Sequence, residues 1–273
     1  MNGVDEGAVI GTIMKTLLYE VKDHVARSTL NRPDAANALN LQMAFELMHA
    51  AIRASEDPEV RAVIITGAGR MFSGGGDLKS FAEQKDHLPG HLKEVALYLH
   101  AAISRFVRMD APVLVAVNGA AGGAGMSLCL SADLVLAAES AKFTLAYTRA
   151  GLSPDGGSTY FLPRIIGVRR ALELALTNRV LTAREAQDWG IVTKVVPDSE
   201  LHTEAQAVAG QLASAATRAL GAARRLLHHS FAESLETQME LEAQAIADQA
   251  RTQDAYEGIA AFIAKRKPAF TGS

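Results

Sequence analysis

Residues 111–132 carry no charged side chain, in a chain that is 21% charged overall. On length alone such a run could span a bilayer. Pro112, the Asn118-Gly119 pair and the cluster Gly122-Gly123-Ala124-Gly125 interrupt it, so it reads as a strand, a turn and a helix, all buried. A segment like this needs apolar cover on every side. At 273 residues the chain is long enough to provide it, as one large domain or one domain plus an appendage.

The flanking pattern is α/β. Val60–Thr66 is short, β-branched and stopped by Gly67-Ala68-Gly69, and Val113–Val117 and Leu134–Ala138 read the same way. Near-continuous apolar strands suit a sheet covered on both faces. Tyr19–Thr29 alternates more loosely and reads as an edge hairpin. Helical periodicity appears at Leu39–Ser55 and again at His91–Met109, where Leu92, Val95, Leu99, Ile103 and Phe106 share a face. Val168–Leu176 and Ala183–Trp189 read as shorter helices. Beyond Pro197–Leu201 strand signals vanish, which divides the chain into an α/β core (1–199) and a helical tail (200–273).

Composition excludes several classes of partner. A net charge of −3 gives no electrostatic reason to expect nucleic acid or an anionic membrane. The only cysteine, Cys129, lies in an apolar stretch and reads as an inert buried thiol, which suits a reducing, cytoplasmic compartment. Asp5 and Glu6 replace the basic start of a secretion signal. No dinucleotide fingerprint forms, because Phe72 stands where Gly67-Ala68-Gly69 would need its third glycine.

Two glycine clusters, Gly74-Gly75-Gly76 and Gly122-Gly123-Ala124-Gly125, each follow an apolar run and lead toward an apolar, helical stretch. A helix N-terminus offers unpaired N–H groups and a positive dipole end, and glycine lets a ligand oxygen approach closely. Two such corners converging would form an oxyanion hole.

Five blocks extend this reading: LNRPDAANAL (30–39), VIITGAGRMFSGGGDLKSF (63–81), APVLVAVNGAAGGAGMSLCLSADLVLAAESAKF (111–143), GLSPDGGSTYFLPRIIG (151–167) and LTAREAQDWGIVTKVV (181–196). In this order and spacing they resemble the enoyl-CoA hydratase/isomerase, or crotonase, superfamily. The closing YEGIAAFIAKRKPAFTG is similar to that family's C-terminal helix. The resemblance implies a spiral of repeated ββα units followed by a helical trimerisation region, with homotrimers often paired into hexamers. It also implies an acyl-coenzyme A thioester as ligand, no permanently bound cofactor and no metal.

By the same resemblance Gly76 and Ala124 donate the two oxyanion-hole N–H groups. Ser127 and Tyr147 occupy the positions of the two glutamates that activate water in the hydratases, and neither is a carboxylate. An ordinary tyrosine, with a pKa of about 10, is a poor base at neutral pH. The turn Pro154-Asp155-Gly156-Gly157 resembles the epoxyphenylacetyl-CoA isomerase and enoyl-CoA isomerase branch, where the matching aspartate shuttles a proton. As a residue type alone, Asp155 would serve equally as a helix N-cap. Coenzyme A is expected along Ala36, Gly74, Asp77 and Leu78, with Lys265 or Lys267 reaching its phosphates.

The Asp155 turn and Ile165–Arg179 are also similar to the chlorobenzoyl-CoA dehalogenase branch, in which the aspartate is a nucleophile and a histidine, here His100, activates water. Tyr147 and Leu99 stand where that branch carries tryptophans. The leading expectation is double-bond isomerisation by Asp155, with Tyr147 or His100 assisting by hydrogen bonding and Ser127 lining the acyl pocket. The alternatives are displacement or thioester hydrolysis through Asp155 and His100, hydration by a water placed on Ser127, and CoA binding without turnover.

Overall fold

The computed structural model describes residues 14–273. Asp5 and Glu6 lie outside them. The described residues open with a hairpin, β1 (Leu17–Lys22) and β2 (Val25–Leu30), turned by Asp23 and His24 at positive φ. Of this pair only β1 lies at an edge among the described residues: β2 pairs on its far side with β3 (Ala62–Gly67), across the amphipathic helix α1 (Leu41–Glu56). After β3 come α2 (Leu78–Ala82) and the long α3 (Leu88–Arg108), which begins earlier than its periodicity suggests because Pro89 fits a first helical turn.

The uncharged run resolves into β4 (Val113–Val117), β5 (Ala120–Gly122) and α4 (Ala124–Ser131), and every residue of β4 and α4 is buried. β6 (Leu134–Ala138) and β7 (Lys142–Thr144) follow. Next is α5 (Ser158–Thr177), broken at Gly167 (φ 78°), so the expected helix at 168–176 is its second half. β8 (Leu181–Thr182), α6 (Ala183–Asp188) with a Thr182–Glu185 capping box, and β9 (Lys194–Val196) complete this part.

The strands form two layers. One sheet has the order β1-β2-β3-β4-β6-β9 and the other β5-β7-β8. In the pairs β4/β5 and β6/β7 the first strand enters the large sheet, the second enters the small one, and a helix follows. This is a repeated ββα winding. The parallel strands are buried on both faces: Val63 and Ile65 point into one apolar cluster, and Ala62 and Ile64 into another.

The tail comprises α7 (Leu201–Ala213), α8 (Thr217–His229), α9 (Leu235–Gln249) and α10 (Gln253–Ile263). It is not uniformly separate from the core. Leu201, Ala205, Ala209 and Ala213 of α7 pack on Ala62, Ile64, Leu114 and Leu136, closing the second face of the sheet. On α8, Arg224 is buried and donates to the Phe106, Met109 and Ala111 carbonyls and to Asp133. α9 has no buried residue, so the part lacking cover from its own core starts there rather than at 200.

Candidate active site

The glycine corners meet where the small sheet ends. An isolated parallel bridge joins Ser73 to Ala121, another joins Leu39 to Gly76, and Gly122 N–H donates to the Ser73 carbonyl at 2.8 Å. Gly75 adopts φ 101° and Gly123 φ 48°, conformations that glycine enters without strain. A Cβ on Gly123 would lie 3.3 Å from Gly75 Cα and 3.9 Å from Gly76 N. The two loops are therefore in van der Waals contact, and glycine is what allows it. Ala124 is the first residue of the fully buried α4, at the positive end of its dipole. Among the described residues, neither the Gly76 nor the Ala124 N–H donates to a protein acceptor.

These corners line a cavity of about 310 Å³. Its wall brings together Gly74, Gly76, Leu78, Ala124, Tyr147 and Asp155, along with the small residues Ala146, Ala150 and Ser153. Asp155 is the only acidic side chain lining it among the described residues. The N-cap reading of Asp155 is corrected: α5 is capped by Gly157 without a side-chain hydrogen bond, and the Asp155 carboxylate accepts from Tyr147.

That contact organises the site. Tyr147 Oη donates to Asp155 Oδ1 at 2.6 Å and lies 3.0 Å from Ser127 Oγ. Ser127, fully buried behind the wall, donates to the Asp155 carbonyl at 3.0 Å, and Ser158 Oγ does so at 2.8 Å. Burial first, and then the adjacent Asp155 charge, push the Tyr147 phenol above its ordinary range, so it stays a donor. Burial likewise raises the Cys129 thiol, which suits an inert packing role.

Other candidates fall elsewhere. His100 does not line the cavity. It borders a neighbouring hollow of about 800 Å³ with Arg108, Tyr160, Arg225, His228 and His229, and its Nε2 accepts Gly156 N–H at 3.1 Å. Asp77 is committed to structure: it caps α2 by accepting from Ser80 N–H and pairs with Arg32 at 2.8 Å. Burial alone would raise its carboxyl, but the Ser80 N–H and the Arg32 guanidinium outweigh it and hold the group below the usual range. Ala36 stands behind the wall, its carbonyl taking Gly74 N–H at 2.8 Å. Lys267 contradicts expectation. It borders a hollow with Asp23, His24 and Gly210, at the start of β2, so the Lys265–Lys267 segment lies at the end of the sheet opposite its own chain's cavity.

Phe81, Leu92, Lys93, Val95 and Ala96 also line the cavity. The 3.6-residue period marked Leu92, Val95 and Leu99 as one buried face, but periodicity does not separate core-facing positions from cavity-facing ones.

A family model described as enoyl-CoA hydratase/isomerase matches residues 20–273. The chain is 38% identical over 261 residues to 1,2-epoxyphenylacetyl-CoA isomerase of Escherichia coli (strain K12), covering 95% of this chain and 100% of that one. It is 41% identical over 257 residues to a Rhodobacter capsulatus protein named "Probable enoyl-CoA hydratase", covering 94% and 98%. It is 36% identical over 226 residues to 4-chlorobenzoyl coenzyme A dehalogenase-2 of Arthrobacter sp, covering 82% of each. The crystal structure of an enoyl-CoA hydratase from Polaromonas sp. JS666 superposes with a TM-score of 0.89 at 33% identity, covering 93% of this chain and 99% of that one.

Proposed function

The chain belongs to the enoyl-CoA hydratase/isomerase family, and we propose that within it the protein is an acyl-CoA isomerase that moves a carbon–carbon double bond. The observation that carries this reading is Asp155, the single carboxylate lining the cavity among the described residues, with one oxygen taken by Tyr147. A 1,3-proton shift needs one carboxylate. Addition of water is served by a second acid–base group, and the Ser127 and Tyr147 hydroxyls are poor substitutes, the phenol holding its proton more tightly than usual.

In this reading the thioester oxygen of a 3-enoyl-CoA lies between the Gly76 and Ala124 N–H groups. Asp155 takes a proton from the carbon beside the carbonyl through Oδ2, and the negative charge gathers on the thioester oxygen as an enolate. As the carbonyl re-forms, a double bond closes between the second and third carbons. The pair of the original double bond collects the proton from Asp155 at the fourth carbon. Atoms and charge balance, and the carboxylate is regenerated. Each oxyanion donor in such sites contributes about 3 kcal/mol.

No observation favours displacement through Asp155 with His100 as base, because His100 Nε2 is occupied by Gly156 N–H. In this reading coenzyme A runs along Gly74 and Leu78, which line the cavity. Exposed Leu235, Met239, Ile246, Ile259 and Phe262 on α9 and α10 supply the apolar surface that a trimer or hexamer would cover. A cytoplasmic site of action fits the single buried thiol.

The test is incubation with an acyl-CoA panel in deuterated water, read by mass. The expected result is conversion of 3-enoyl-CoA to 2-enoyl-CoA with label exchange and no product heavier by one water. Asp155→Asn should lower the rate by about 10²-fold or more. Undiminished isomerisation in that variant, or hydration as the main reaction, overturns the reading.

A further inference from the structure

The Asp155 turn is gripped from three helices. On the α4 side, a Cβ on Gly156 would lie 2.8 Å from Ser127 Cβ, so the turn packs directly on that residue. On the α5 side, Ser158 N–H and Oγ both donate to the Asp155 carbonyl, at 3.1 and 2.8 Å. On the α3 side, the peptide N–H immediately after Asp155 donates to His100 Nε2 at 3.1 Å. Gly156 and Gly157 both have positive φ, 59° and 72°, so this peptide plane is set by its contacts rather than by a regular element.

We propose that His100 is a positioning residue: by accepting the Gly156 N–H it fixes the turn that aims the Asp155 carboxylate into the cavity. The inference rests on the isomerase reading for its kinetic consequence only. An Nε2 that accepts a hydrogen bond carries no proton, so the imidazole is neutral, with its proton on Nδ1. Without that acceptor the turn loses its α3 anchor, and Asp155 loses its aim.

The titratable and charged groups facing His100 across the hollow are Arg108 of α3, Tyr160 of α5, and Arg225, His228 and His229 of α8. None of these accepts Gly156 N–H. The contact therefore reports on His100 itself.

The experiment compares the intact protein with His100→Gln and His100→Ala. Glutamine keeps a neutral acceptor at similar reach and does not titrate; alanine removes the acceptor. Two readouts are used: the solvent-exchange rate of the Gly156 amide proton in glycine-labelled protein at one neutral pH, and kcat and KM for a 3-enoyl-CoA. The amide should exchange slowly in the unmodified protein and in His100→Gln, and faster in His100→Ala. In His100→Gln kcat at neutral pH should stay within about threefold. In His100→Ala kcat should fall about tenfold with KM little changed, since one neutral hydrogen bond is lost and no substrate contact is touched.

A Gly156 amide that exchanges no faster in His100→Ala than in the unmodified protein overturns the proposal. So does an alanine variant with full kcat, or a glutamine variant as impaired as the alanine one, which would mean that the ring acts chemically. Amide exchange needs no turnover. An unmodified protein that fails to isomerise therefore overturns the reaction assignment alone, and the exchange rate decides the role of His100.

Discussion

Asp155 lines the cavity with one of its carboxylate oxygens spoken for. Tyr147 Oη at 2.6 Å fixes Oδ1, and the serine hydroxyls on the backbone carbonyl fix where the side chain starts. Removing the phenol in Tyr147→Phe deletes a hydrogen bond to a charged group, a loss of about 1.5–3 kcal/mol. kcat should therefore fall about 10–100-fold while KM changes little, which steady-state kinetics on a 3-enoyl-CoA will show. The sign of the pH effect follows from the raised Tyr147 pKa. The folded state holds this proton more tightly than the unfolded chain, so the contribution of the residue is complete below the unfolded value of about 10 and is lost as pH rises toward the folded one. No alkaline fall in kcat/KM from Tyr147 should appear below about pH 10. The residue types were legible in the sequence, because a serine and a tyrosine where water activation needs carboxylates argue against hydration. The pairing of Tyr147 with Asp155 was not legible. It depends on a turn whose two positive-φ glycines specify a bend without specifying its direction.

At the scale of elements, the two glycine corners meet because β5 and the strand-like Ser73–Gly76 segment run side by side. Gly123→Ala tests this. A side chain there is strained at φ 48° and its Cβ would lie 3.3 Å from Gly75 Cα, so the loops must part. Stability should drop by about 1–3 kcal/mol, and displacement of the Ala124 N–H should lower kcat by about 10²–10³-fold. Gly151→Ala is the control: its φ is 72°, but nothing lies within 4 Å of the added Cβ. That variant should show the backbone strain in denaturant unfolding and keep its kcat. The long elements were readable from the chain because β3, β4, β6, α1 and α3 each carry a period or an unbroken apolar run. β5, β7 and β8 span only two or three residues each. That is too short for any period to register, although this small sheet is what sets the glycine corners together. Division of the chain at 199/200 followed the loss of strand signals. α7 breaks that logic because its alanine stripe, Ala205, Ala209 and Ala213, fits it closely to the sheet as core.

At the scale of the whole molecule, the candidate site and the anchor of the last residues sit at opposite ends of the parallel strands. The glycine corners follow the C-terminal ends of β3 and β4, whereas the last residues of the chain close over the start of β3. There Arg61 donates to the carbonyls of Phe270 and Ala215 and to Thr217 Oγ1, and Asp254, 4% exposed, accepts from Thr271 N–H at 2.7 Å and Gly272 N–H at 2.8 Å. Nothing in the composition of residues 268–273 announces this clasp, because what they contribute is mostly backbone: the Thr271 and Gly272 N–H groups to Asp254 and the Phe270 carbonyl to Arg61. Substituting Asp254→Ala removes the charge-assisted bonds and should cost about 1.5–3 kcal/mol. Deleting the segment removes those bonds and the Arg61–Phe270 contact as well, so it should cost at least as much, and the combined variant should cost little beyond the deletion alone, since groups in one network do not add. Denaturant unfolding of the three variants at equal protein concentration measures the difference. Costs that simply sum would mean that Asp254 and the chain end act separately and that no clasp exists. kcat of the folded fraction should be unchanged throughout, because the strands between the two ends keep every contact that places Gly76, Ala124 and Asp155.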